Sequence, residues 1–145
     1  MKTKKIIAML MALVCLLASF SVFANAEVYS SGDEIQASGL ILHFSLSATK
    51  ENSTTLAIDG STVCDPVVVK CGFKGLKVQR RANSSSSWSD FYDYGNVYRD
   101  SWSYVIDREL PVDPGYQYRV VCKHYAKVNL LNTQTISNTS NIVTF

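Results

Sequence analysis

Beyond its first 26 residues the sequence has no segment of useful length with the apolar repeat of about 3.6 residues that marks a helix. It also lacks the strand–turn–helix serine motif of hydrolases, the glycine-rich phosphate loop and the paired-histidine helix of zinc proteases. Asp107 and Glu109 share one predicted strand face, but a small domain lacks the deep cleft in which a glycosidase holds its two carboxylates. We therefore expect a protein that is not an enzyme and that binds no metal or cofactor.

An apolar run of residues lies near the N-terminus, and it is shorter than a membrane-spanning helix requires. Lysines precede this run, and Ala24-Asn25-Ala26 follows it with the small residues that signal peptidase requires. The pattern predicts a signal peptide over residues 1–26, with a retained membrane anchor as the alternative. Cys15 lies inside the run rather than at its end, which does not fit a lipoprotein. With no wall-sorting signal and no second hydrophobic segment, we expect a secreted, extracellular product without a stable membrane span.

Net charge is small once the predicted signal peptide is set aside. The 145 residues include 14 lysines and arginines and 12 aspartates and glutamates, which gives a formal net charge of +2. Removing the three N-terminal lysines leaves 11 basic and 12 acidic residues, so the mature chain carries −1. Nucleic-acid binding depends on a surplus of positive charge against the phosphates. The composition therefore argues against a nucleic-acid partner.

Alternation of apolar and polar residues is the main pattern of the mature chain, and it is clearest over residues 115–127. Even-numbered positions there are mostly apolar and odd-numbered ones mostly cationic or polar, as in a strand with one solvated face. In an earlier strand the apolar positions are odd-numbered over residues 67–73 and even-numbered at Leu76 and Val78, which predicts a bulge bracketed by Gly72 and Gly75. About seven such segments predict an all-β domain, an immunoglobulin-like antiparallel sandwich over residues 39–145, after a flexible lead-in over 27–38.

A Pro-Gly corner followed by a Tyr-x-Val alternation occupies residues 110–120 and resembles the sixth strand of fibronectin type III and related immunoglobulin-like domains. The resemblance implies that Tyr118 is the corner tyrosine, whose hydroxyl bonds the backbone while its ring enters the core. Two stretches, Gln79 to Trp88 and Gly115 to Lys127, resemble uncharacterised small secreted proteins of Gram-positive bacteria. These proteins have a signal peptide, then Gln-Arg-Arg…Ser-Trp, then Gly-Tyr-x-Tyr-Arg-Val…His-Tyr-Ala-Lys. The family implies no known activity, and sandwich folds host many functions.

Three cysteines remain in the mature chain, which suggests one disulfide and one leftover thiol in an exported protein. An immunoglobulin-like topology implies that Cys64, Cys71 and Cys122 lie near one pole, so all three pairings stay open. We favour a Cys64–Cys122 disulfide, which would join the two sheets and contribute about 4 kcal/mol by constraining the unfolded chain. The leftover thiol is expected to be a buried small residue in a monomer; an intermolecular bridge would instead give a disulfide-linked dimer.

Cys122 and His124 point the same way from one predicted strand. No second spaced pair completes a metal site with them, and no third group is evident to orient a catalytic pair. We therefore expect them to pack in the core.

Two surface features are predicted binding sites. The first is a basic face on the neighbouring third and sixth strands, formed by Lys77, Arg81, Arg119, Lys123 and Tyr125. Such a face would steer an anionic partner to one sheet. The second is the loop containing Leu130 and Leu131, which would form an apolar binding tip if it is exposed.

These features together predict a secreted, non-enzymatic binding module whose partner is an extracellular protein, a wall polymer or a surface glycan. The alternative is a secreted bacteriocin-like toxin that acts on neighbouring cells, because a small unanchored product fits that role as well.

Overall fold

A computed structural model describes residues 35–36 and 39–145 of the chain. The predicted signal peptide and most of the predicted lead-in lie outside the described residues. All nine regular elements within the described residues are β-strands. In chain order they are β1 (Ile35–Gln36), β2 (Ile41–Asn52), β3 (Thr55–Cys64), β4 (Lys70–Arg81), β5 (Ser89–Arg99), β6 (Ser103–Pro111), β7 (Gln117–Lys127), β8 (Thr133–Thr139) and β9 (Val143–Thr144).

The strands form two antiparallel sheets packed face to face. One has the order β1-β2-β3-β6, and the other has the order β5-β4-β7-β8 with β9 paired to β7. The first, second and fifth long strands thus form one sheet, while the third, fourth, sixth and seventh form the other. This distribution is that of immunoglobulin-like sandwiches. The predicted all-β sandwich is confirmed, with seven long strands and two short ones at the sheet margins.

The alternation predicted for the sixth strand is the alternation found in β7. Its even-numbered residues from Tyr118 to Ala126 are all buried, and its odd-numbered residues are partly or fully exposed. The buried face of β7 contributes to both apolar clusters of the core. The larger cluster surrounds Tyr118 and Val120, and the smaller one contains Ala126. The outward side of β7 is therefore free to carry polar chemistry at the centre of its sheet.

The predicted bulge lies in β4. Its register with β7 shifts between Lys74 and Lys77, and Gly75 adopts a positive φ of 60° that favours glycine. Phe73 and Leu76, an odd and an even residue, are consequently both buried. The alternation predicted for residues 67–69 is wrong, because β4 begins at Lys70: Val68 is buried, whereas Val67 and Val69 are exposed.

The corner before β7 is held by Tyr118. Its hydroxyl donates to the Asp113 carbonyl oxygen at 2.9 Å and accepts from the Asp113 backbone N–H at 3.0 Å. The ring is fully buried and lies edge-on to the rings of Phe91 and Phe145. Tyr118 is thus the corner tyrosine, as the sequence predicted.

The predicted Cys64–Cys122 disulfide is wrong. All three described cysteines are buried free thiols, and these two belong to different apolar clusters. On β7, the residue in the cluster of Cys64 is Ala126, four positions beyond Cys122. Four residues of strand span roughly 13 Å, whereas a disulfide needs Cα atoms within about 7 Å.

Candidate functional site: a basic pocket on the outer sheet face

A pocket of about 680 Å³ opens on the outer face of the β5-β4-β7-β8 sheet. Its lining includes three cationic side chains and three hydroxyl side chains, and no acidic residue. These six residues are Lys74, Arg119, Lys123, Thr135, Ser137 and Thr139. The strands position them by alternation, because every second residue of β7 and β8 points to this face.

Lys74 and Lys123 stand directly opposite each other in the pairing of β4 with β7. Lys123 in turn stands opposite Ser137 of β8, so the three residues form one row across the sheet. Both lysines are exposed. Like charges in directly opposed positions destabilise a sheet. The lysine pair is therefore a local arrangement that the fold alone does not favour.

The two lysines of β4 lie on either side of the bulge. Lys74 precedes the register shift and faces Lys123, whereas Lys77 follows the shift and faces Val121. Without the one extra residue, the outward positions of β4 after Phe73 would be even-numbered throughout, and Lys77 would point inward. The bulge therefore separates the two lysines of β4 into different surroundings.

Lys77 is neutralised by carboxylates of the neighbouring strand. Its Nζ lies 2.6 Å from an Asp90 oxygen and 3.4 Å from an Asp93 oxygen. The hydrogen bond to Asp90, followed by that to Asp93, raises the pKa of Lys77, and the same contact with Lys77 lowers the pKa of Asp90. Lys77 belongs to the predicted basic face but not to the pocket lining.

Arg119 is held at the end of the pocket by a tryptophan that sequence reasoning did not single out as a site residue. The guanidinium carbons of Arg119 and Arg81 each lie 4.4 Å from the centre of the Trp88 ring, a cation–π distance. Arg119 Nε also donates to Gln79 Oε1 at 3.0 Å, and Arg81 Nε donates to Gln117 Oε1 at 2.8 Å. The contacts with Trp88 and Gln79 therefore fix the position of the Arg119 side chain in the pocket lining. Arg81 contacts the same tryptophan and links β4 to β7 through Gln117.

Tyr125 lies on β7 two residues after Lys123, on the other side of the lysine row from Arg119. Its ring lies 4.9 Å from the ring of Tyr98, and Gly72 of β4 is the register partner of both tyrosines. A side chain at Gly72 would collide with the carbonyl oxygen of Val97. The glycine thus permits close strand approach, and the tyrosine pair provides an aromatic patch beside the cationic pocket.

The apolar loop predicted as a second binding site is exposed but separate from the pocket. Leu130 and Leu131 are 87% and 98% exposed, and neither lines the pocket. The Asn129 side chain accepts hydrogen bonds from the backbone N–H groups of Leu131 and Asn132 at 2.9 and 3.0 Å. The loop between β7 and β8 therefore has a defined shape.

His124 and Cys122 lie between the sheets, on the side of β7 opposite to the pocket's lysines. The imidazole is fully buried, with Nδ1 2.8 Å from Thr62 Oγ1 and Nε2 3.2 Å from Asn138 Nδ2. Burial lowers the pKa of His124 to about 3 and raises the pKa of Cys122 to about 12. At neutral pH the pair is an uncharged imidazole beside an uncharged thiol, 3.9 Å apart. Their placement in the core is the one predicted.

Of the predicted site residues, Arg119 and Lys123 line the pocket together. The other predicted residues do not line the pocket. Lys77 pairs with Asp90 and Asp93, Arg81 contacts the Trp88 ring, and Tyr125 contacts Tyr98. Leu130 and Leu131 lie in the separate loop between β7 and β8. Sequence reasoning missed Lys74 and the hydroxyl row of β8. The signal for the hydroxyl row was present in the alternation Thr135-x-Ser137-x-Thr139.

The described residues contain no cluster of three or more histidine, cysteine or acidic side chains that would hold a metal ion. Nor does the described part of the chain include a helix of the length and apolarity needed to cross a membrane. No protein-family model, curated protein or solved structure matches the chain.

Proposed function

We propose that the chain is a secreted, non-enzymatic binding module that takes an anionic glycan in the basic pocket. The observation that carries the proposal is the directly opposed pair of Lys74 and Lys123 in the pocket lining. The opposed positions bring two positive charges to one place on the sheet, and a bound sulfate, phosphate or carboxylate group would interact favourably with both.

The rest of the lining suits a polyhydroxylated chain. Thr135, Ser137 and Thr139 present hydroxyl groups that both donate and accept hydrogen bonds. Tyr125, beyond the row, adds a broad face with a polar tip. The pocket lies on an open sheet face, and an extended polymer fits such a surface better than a small buried substrate does.

The pair of Cys122 and His124 supports a binding role over catalysis. A nucleophilic cysteine acts as its thiolate, and a general base works best with a pKa near the working pH. Burial moves the pKa of both groups away from that condition. The pair therefore acts as core packing in this proposal.

The test is titration of the protein with sulfated dextran oligosaccharide, with uncharged dextran of the same length as the ligand control. The variant Lys74→Gln with Lys123→Gln is expected to lose at least about tenfold in affinity, since each phosphate-like contact typically contributes 1 kcal/mol or more. The charge-matched control, Lys50→Gln with Arg108→Gln, changes two cations on the opposite sheet and is expected to bind within about twofold of wild type. Equal losses in both variants, or equal binding of the uncharged dextran, would overturn the proposal.

The toxin alternative is separated by adding purified protein to a lawn of neighbouring bacteria. A binding module produces no zone of clearing, whereas an antagonist does. Export is checked independently by the N-terminal sequence of the secreted product, which is expected to begin at Glu27.

A further inference from the structure

Two of the three free thiols meet across the space between the sheets. Cys64 is the last residue of β3 in one sheet, and Cys71 is the second residue of β4 in the other. Both are buried in the same small apolar cluster. Thr62 confirms the close approach, because its carbonyl oxygen lies 4.0 Å from Cys71 Sγ and its hydroxyl bonds the Gly72 carbonyl oxygen at 3.3 Å.

We propose that Cys64 and Cys71 are an oxidative modification site, which closes to an inter-sheet disulfide when the chain folds with a disulfide oxidant, and that Cys122 stays a thiol. The proposal rests on the fold and does not depend on the proposed binding function. Its oxidant is a small-molecule or protein disulfide, for which oxidised glutathione serves as the probe.

The two thiols are in contact in the folded chain. A hydrogen bond from Cys64 lowers the pKa of Cys71, and the same contact raises the pKa of Cys64. One thiol of the pair attacks one sulfur of oxidised glutathione as its thiolate, forming a mixed disulfide and releasing one glutathione. The other thiol then loses its proton and displaces the second glutathione. Two protons and two electrons leave the cysteine pair, and one glutathione disulfide becomes two thiols.

Cys122 has different surroundings. It is 5% exposed, belongs to the other apolar cluster and lies beside His124 Nε2. A bond from Cys122 to either of the other two thiols is therefore incompatible with the packed sheets, and exchange in a glutathione buffer removes it as the chain folds. The burial of Cys64 and Cys71 means that oxidation takes place before the two sheets close, and that the finished bond is shielded from reductant.

Peptide mapping decides the pairing without any substitution. The chain from Glu27 onward, which lacks Cys15, is refolded in a buffer of oxidised and reduced glutathione, alkylated with iodoacetamide under denaturing conditions and digested with trypsin. The three cysteines fall in three tryptic peptides, residues 51–70, 71–74 and 120–123. The expected result is a linked pair of 51–70 with 71–74 and an alkylated, unlinked 120–123. Alkylation of all three cysteines, a link from 51–70 to 120–123, or a dimer linked through Cys122 would overturn the proposal.

Stability gives a second measurement. The disulfide would close a loop of about eight residues, for which the chain-entropy relation predicts a roughly 60-fold smaller unfolding equilibrium constant. Oxidised wild type is therefore expected to show that shift relative to reduced wild type in urea. Cys122→Ala is expected to keep the difference, and Cys64→Ala with Cys71→Ala to abolish it. If wild type that carries the disulfide has the same unfolding equilibrium constant before and after reduction, the inference that this bond constrains the fold is overturned.

Discussion

The buried imidazole of His124 predicts that the protein loses stability in mild acid. The ring is enclosed by Thr62 from β3, Asn138 from β8 and Cys122 from its own strand, together with the rings of Phe44 and Phe73 at 5.0 and 5.1 Å. These described neighbours are all uncharged. Nothing among them compensates a proton on the ring, and burial lowers the pKa of His124 to about 3.

The direction of the change in stability depends on whether the folded or the unfolded state binds the proton more readily. The unfolded histidine titrates near its ordinary pKa of about 6.5, whereas the folded one stays neutral to about pH 3. Between these values the unfolded state binds the extra proton, so stability is full above about pH 6.5 and falls as the pH is lowered. Between pH 7 and pH 5 the free energy of unfolding is expected to drop by about 2 kcal/mol from this group.

Urea unfolding followed by tryptophan fluorescence at pH 7 and pH 5 measures this drop. His124→Gln keeps polar atoms for Thr62 and Asn138 but does not titrate, so its stability is expected to change little between the two pH values. His43→Gln is the matched control, because it removes the other histidine of the chain, which is partly exposed on β2, and should leave the wild-type drop intact. A wild-type free energy that is flat between pH 7 and pH 5 would refute the reasoning, and so would a full drop in His124→Gln.

Four further substitutions test the fold by the same urea assay. Tyr118→Phe removes both hydrogen bonds to Asp113 and is expected to cost about 1–2 kcal/mol, so a cost near zero would contradict the role of the corner. Gly72→Ala places a Cβ against a backbone carbonyl and is expected to cost about 3 kcal/mol or more. Gly75→Ala meets no atom within 4 Å and pays only for its positive φ, about 1 kcal/mol, so equal costs at the two glycines would contradict the steric argument. Leu131→Asp changes a side chain that is 98% exposed and is expected to stay within about 0.5 kcal/mol of wild type, since a larger loss would mean that the loop packs on the domain.

Local patterns in the sequence predicted much of the fold because each pattern depends on a few neighbouring residues. The alternation in β7 reports which side faces the core, and Tyr118 follows a Pro-Gly corner within the same segment. The bulge at Gly75 was likewise visible as a change of parity within one strand.

The composition of the site was harder to predict, because it depends on which residues face one another across strands. Lys74 joins the pocket through its register with Lys123, and that register is set by strand pairing between residues some fifty positions apart in the sequence. Lys77 was predicted as part of the basic face, but β5 folds back beside β4 and brings Asp90 and Asp93 onto it.

The favoured disulfide was wrong for the same kind of reason. The expected topology placed all three cysteines near one end of the sandwich. Which two can form a disulfide, however, depends on how far along its strand each cysteine lies. Cys122 lies near the middle of β7, while Cys64 and Cys71 lie at the adjoining ends of β3 and β4.

The central claim, that an anionic glycan binds at the opposed lysines, is tested most directly by mapping the contact. Isotope-labelled protein is titrated with sulfated dextran oligosaccharide, and the backbone amide resonances are followed by NMR. The largest shift changes are predicted at Lys74, Lys123 and Ser137, with none in the loop of Leu130 and Leu131. Shift changes centred on that loop, or no saturable change at any residue, would contradict the claim.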